Sequence, residues 1–86
     1  MMFIVFPPAR CHEVDFDYNG ADIAGSNPIP GFTASALACQ AACQALSTCT
    51  HWTYGYSGGD AGKCWLKTSQ GTRTANVGYI SGPKYC

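Results

Sequence analysis

Two cysteines four residues apart, Cys39 and Cys43, constrain this chain more than any other feature. They sit in TASALACQAACQAL, residues 33–46, the one stretch with a clear helical period. Ala36, Cys39, Cys43 and Leu46 fall at the i, i+3, i+7 and i+10 positions of one stripe. Thr33 or Ser35 is placed to cap the amino end. On such a helix the two cysteines share a face, one turn apart. They cannot easily bond each other, because a bridge needs Cβ atoms about 3.8 Å apart. Both thiols therefore point into the layer that packs against the helix, and the alanines let that layer come close.

Six cysteines in 86 residues read as a disulfide scaffold from an oxidising compartment. The length suits one small domain, whose core alone is marginal. Formal net charge is zero, which argues against electrostatic binding of nucleic acid. Charge is unevenly placed: Glu13, Asp15, Asp17 and Asp22 come early, and Lys63, Lys67, Arg73 and Lys84 come late. The plain reading is a neutral soluble surface; the sharper one is a basic, ligand-facing patch on the late strands. Residues 1–10 begin apolar, lack a charged n-region and an A-x-A site, and end near Pro7 and Pro8. They read as a flexible N-terminal linker or a remnant of expression, too short to span a membrane. The domain proper is expected over residues 11–86. Asn27 precedes Pro28, so the chain offers no N-glycosylation sequon.

Residues 12–18 alternate, with Val14, Phe16 and Tyr18 on one face and Glu13, Asp15 and Asp17 on the other, as in a half-buried strand. Asn19-Gly20 is a hairpin signal, predicting a short return through residues 21–24. Residues 25–31, GSNPIPG, read as loop. After the helix, residues 50–56 (THWTYGY) and 63–67 (KCWLK) read as strands. Trp52 and Tyr54 share one face of the first; Cys64 and Leu66 share one face of the second. Residues 68–76 read as polar loop, 77–80 as a short strand, and 81–83 as a turn. The expectation is an α+β fold: a single helix packed on a twisted antiparallel sheet of about five strands.

Six cysteines allow fifteen pairings, and spacing alone does not choose among them. Cys49 follows Cys43 through one turn, and Cys64 faces inward with Leu66. The combination of C-x3-C on a helix, five residues to the next cysteine, CTHWTYG and CWLK resembles the PAN/apple module, over residues 11–86. It looks most like the modules of coccidian microneme adhesins. Trp52 stands where that family often has phenylalanine. The resemblance implies the pairs Cys11–Cys86, Cys39–Cys64 and Cys43–Cys49, and a non-catalytic role in protein–protein or protein–carbohydrate contacts.

Asp15-x-Asp17-x-Asn19-Gly20 matches the opening of a calcium loop, but position 12 falls on Ser26 and a strand with a turn explains the same residues. Cys39, Cys43, Cys49 and His51 fit no reliable zinc spacing. His12 and His51 have no nucleophile motif around them, so neither an enzyme activity nor a metal or other cofactor is expected. The suggestive cluster is Trp65 with Lys63 and Lys67. If Cys64 faces the helix, Trp65 faces away. There it is either covered by residues 68–76 or presented as a stacking platform, with Lys67, Tyr79, Lys84 or Tyr85 donating hydrogen bonds to a sugar ring or an acidic side chain.

These readings converge on a secreted binding module, delivered by the resemblance through a secretory organelle such as the microneme. It would attach to host cells as one of several tandem modules. Expected partners are a host-surface protein or glycan, a partner adhesin and neighbouring modules of a longer chain, with no nucleic acid and no membrane insertion. The rival reading is a structural spacer with no ligand of its own.

Overall fold

The computed structural model describes residues 11–23 and 28–85. The linker expected at residues 1–10 lies outside the described residues, as does Cys86 and with it the Cys11–Cys86 pairing. Strand β1 spans Glu13–Asn19 and helix α1 Ala36–Gln44. Strand β2 is His51–Gly55, β3 is Cys64–Lys67 and β4 is Thr72–Pro83, with a 3₁₀ turn at Gly58–Asp60 between β2 and β3. The strands form one antiparallel sheet in the order β1-β4-β2-β3. The class is as expected, one helix on one antiparallel sheet, with four strands among the described residues.

Helix α1 starts where Ser35 Oγ accepts from the Ala38 N–H at 3.0 Å; of the two cap candidates Ser35 serves. Past its end the chain turns through Leu46 N–H to Cys43 O at 3.2 Å and Cys49 N–H to Leu46 O at 3.0 Å. The buried face of α1 meets Trp52, Tyr54, Cys64 and Leu66 on the inner side of the sheet. Two disulfides fix it there: Cys39–Cys64 and Cys43–Cys49. The bulky aromatics keep their polar ends paired. Trp52 Nε1 donates to Pro83 O at 2.9 Å and Tyr54 Oη to Thr33 O at 2.8 Å, so burial leaves no orphan donor.

Asn19-Gly20 does not close a hairpin. β1 pairs with β4, and the chain after Gly20 crosses to the free edge of β3. There Ile23 N–H donates to Leu66 O, Ile29 N–H to Cys64 O, and Thr68 N–H to Ala21 O, each at 2.9 Å. Asp22 makes a single bridge to Lys67, so residues 21–23 of the predicted return form an edge cover for β3, and residue 24 lies outside the described residues. Covering an edge removes a row of unpaired backbone groups.

Residues 72–76, expected as loop, and 81–83, expected as a turn, belong to β4, which runs unbroken over twelve residues. Its register with β1 slips midway. Val14 pairs with Ile80, but Phe16 pairs with Ala75, so residues 76–79 lie opposite the single residue Asp15. Asp15 has φ 64°, and its Oδ1 accepts from the Gly78 N–H at 3.2 Å and from the Tyr56 hydroxyl. This bulge breaks the predicted alternation: Tyr18 is buried, but Val14 is 43% exposed, because the left-handed backbone at Asp15 interrupts the strand between them.

Beyond the bulge, β1 lies across the outer face of β2. The Tyr18 N–H reaches Ser81 Oγ at 3.3 Å and Thr53 Oγ1 at 3.4 Å. Ser81 Oγ donates to Phe16 O at 2.9 Å. Thr53 and Ser81 are buried and hydrogen-bonded to each other at 2.7 Å. The Tyr18 ring sits edge-on to His51, 5.9 Å between centroids. Small hydroxyl side chains let one backbone pass close over another and satisfy its polar groups.

Candidate functional site

The crossing of β1 over the sheet leaves a depression of about 190 Å³ on the outer face. β1 contributes Asp17 and Asn19, and the segment behind it Asp22. The 3₁₀ turn adds Asp60, β3 adds Trp65 and Lys67, and β4 adds Tyr79. Trp65 points here because Cys64 and Leu66 point inward, the period of two along a strand. It is half-buried, and its ring lies 6.2 Å from that of Tyr79 at 54°, making an aromatic wall.

Electrostatics distinguish the carboxylates. Lys67, 3% exposed, places Nζ 2.5 Å from Asp22 Oδ1 and 3.0 Å from Gly20 O. Lys63 Nζ lies 3.2 Å from Asp60 Oδ1, and the Tyr79 hydroxyl donates to Asp60 Oδ2. The Tyr79 bond first, then Lys63, holds Asp60 below the usual carboxylate range. The same bond, with burial and the Asp60 and Asp17 charges, pushes the Tyr79 phenol up to about 12. Asp17 moves the other way. Burial raises its carboxyl above the ordinary value, Lys67 and a Thr53 hydrogen bond oppose that, and Asp22 and Asp60 add to it.

The structure brings together Trp65, Lys67 and Tyr79 of the residues predicted for ligand binding, with Lys63 beside them through Asp60. Lys84 and Tyr85 lie elsewhere. Lys84 Nζ donates to Leu46 O at 3.1 Å, its carbonyl accepts from Gln40 and Gln44 on α1, and its ammonium sits 5.7 Å from the Tyr85 ring centroid. Their role is at the carboxyl end of the helix, where carbonyls attract a cation. The sharper of the two charge readings, a basic patch on the late strands, has no support among the described residues. Lys63, Lys67 and Arg73 each have a carboxylate partner, Arg73 Nη2 lying 2.5 Å from Glu13 Oε2. Of the two readings for Trp65, cover by residues 68–76 or presentation, the structure shows that 72–75 form a ribbon with β1 and that none of 68–76 lines the depression that Trp65 borders.

The depression also contains Asp22 and Asp60, which sequence reasoning missed, and Asp17 and Asn19, which it weighed for binding only as part of a calcium-like run. Asp17 reads as the wet side of a strand, and nothing local signals that this side turns down onto a second layer. The turn chemistry of Asn19-Gly20 was the available hint that the chain changes direction there. Of the calcium-like run, Asp15 is committed to the bulge. Cys39, Cys43 and Cys49, weighed for zinc, are all in disulfides. His51 is half-buried beneath Tyr18, and burial lowers its pKa.

The family model described as PAN domain matches residues 16–67, from the crossing half of β1 through β3, with the helix and both described disulfides inside the match. The chain belongs to the PAN domain family. No curated protein matches it. PAN domains are non-catalytic modules that bind proteins or carbohydrates, and the disulfide-rich PAN scaffold fits an extracellular setting. No helix among the described residues is long and apolar enough to cross a membrane. In this PAN domain the inner face of the sheet is taken up by the disulfide-bonded helix. The outer-face depression offers what recognition requires: an aromatic plane, fixed acceptors and room for one small group.

Proposed function

We propose that this PAN domain is an extracellular adhesion module that contacts its ligand through the outer-face depression around Trp65, Tyr79 and Lys67. It attaches to a host-cell surface as one of several tandem modules, secreted through an organelle of the microneme type. The observation that carries this reading is a half-buried tryptophan set against a tyrosine and ringed by anchored polar groups. Such side chains supply area and direction at low conformational cost. A single shallow site gives weak binding, and repetition along a chain raises it through effective concentration.

The test is to probe the labelled domain on arrays of immobilised glycans and host-surface proteins, then to map amide shifts with each hit. Saturable shifts at Trp65, Lys67 and Tyr79 support the reading. Hits whose shifts cluster on the exposed side of α1 would relocate the site. Silence on every array would favour a spacer.

A further inference from the structure

The depression is acidic, and this sets what it accepts. Three carboxylates, Asp17, Asp22 and Asp60, line it with one ammonium, that of Lys67. Lys67 is held by Asp22, and Asp60 is held by Lys63 from the rim. Asp17 is the one carboxylate of the three with no ion pair among the described residues. An anionic sugar or an acidic side chain entering here would face all three charges with no uncommitted cation to meet it.

Resting on the adhesion reading above, we infer that the depression takes the basic side chain of a partner protein, arginine or lysine, with its cationic head beside Asp17 and against the Trp65 ring. Lys67 is the internal precedent: an ammonium in this same depression is already held by a carboxylate and a backbone carbonyl. A second cation would give Asp17 the direct ion pair that it lacks among the described residues, where Lys67 acts on it only from a distance. Burial already disfavours the ionised form of Asp17, and its neighbours Asp22 and Asp60 add to that penalty, so a cation gains more there than at an open surface. The Trp65 ring offers a negative face to the same cation, and a planar guanidinium can stack on the ring while bonding a carboxylate. A neutral sugar hydroxyl can donate to one of these carboxylates but brings no charge to offset them. The volume, about 190 Å³, accommodates one long side chain.

The experiment titrates the ¹⁵N-labelled whole chain with capped Gly-Arg-Gly, with the same peptide carrying citrulline, the neutral isostere, and with sialyllactose. The arginine peptide should shift the Trp65 indole and the Asp17 and Tyr79 amides saturably. Citrulline should bind at least about tenfold more weakly, and sialyllactose should leave these signals still. Asp17→Asn should bring the arginine peptide down to the citrulline level, with an unmoved Trp52 indole reporting an intact fold. Should that variant fail to fold, the arginine–citrulline contrast on the native chain decides. Equal binding of the two peptides, or no response to arginine, overturns the inference. If arginine is silent while a glycan moves Trp65, the inference falls and the adhesion reading stands; if peptides and arrays are all silent, both fall.

Discussion

Asp17 is where local energetics and recognition pull apart. Its carboxyl is raised above the ordinary value, chiefly by burial, so folding penalises the ionised form. That penalty is absent when both states are protonated, below the ordinary carboxylate range, and it grows as pH rises through the raised folded value. Asp17→Asn is therefore expected to raise the melting temperature near pH 7 and to lose that advantage near pH 3, while weakening the binding of a cationic ligand. Thermal melts at the two pH values check the sign. Gly55 is the opposite case. A Cβ there would lie 2.1 Å from the Asp60 carbonyl oxygen, so Gly55→Ala must displace the 3₁₀ turn that carries Asp60 to the depression. The expected cost is about 2 kcal/mol or more by chemical denaturation. Neither role is legible in the sequence: Asp17 looks like any solvent-facing strand residue, and Gly55 is one small residue in an aromatic run.

At the scale of elements, legibility tracked hydrophobic patterning. Helix α1 was readable because Cys39, Cys43 and Leu46 recur at helical spacing, and the β2 and β3 faces because Trp52, Tyr54, Cys64 and Leu66 alternate. The first half of β4 was not, since Thr72, Arg73 and Thr74 are exposed on both sides and carry no apolar period. That half is held by pairing with β1, a partner far away in sequence. The ribbon is clasped by Glu13, which accepts from Arg73 Nε at 2.7 and 2.9 Å and from the Tyr18 hydroxyl at 2.6 Å. The Arg73 bond first, then Tyr18, lowers the Glu13 pKa. The stabilisation is thus complete above the ordinary carboxylate range and lost as pH falls through the lowered folded value. Hydrogen exchange should show amides of residues 16–19 losing protection, relative to those of β2, as the medium is acidified. Glu13→Gln should reproduce that loss at neutral pH. Unchanged relative protection would remove Glu13 from the account.

For the whole molecule, the disulfides divide the labour between the two faces of the sheet. The pairs Cys39–Cys64 and Cys43–Cys49 are those the family resemblance implied, and they commit the inner face to α1. Chain-entropy arguments give ~3.5 kcal/mol for the first and ~2.4 kcal/mol for the second, comparable with the total stability of a small domain. Replacing Cys39 and Cys64 together by alanine should therefore destabilise more than replacing Cys43 and Cys49, as read from urea midpoints. Reduction of all bridges should collapse amide dispersion. The crossing of β1 over the outer face could not be foreseen from spacing, because it depends on a bulge and on two buried hydroxyls, Thr53 and Ser81. Yet that crossing makes the depression.

The claim that the outer face is the recognition surface is tested most directly by attachment of cultured animal epithelial cells to surfaces coated with the domain. Two variants are compared: Trp65→Ala on the outer face and Leu37→Asp on the helix, where Leu37 is 68% exposed. Attachment should be lost with Trp65→Ala and kept with Leu37→Asp, both retaining the native Trp52 indole signal. Attachment that survives Trp65→Ala and is lost with Leu37→Asp would contradict the account.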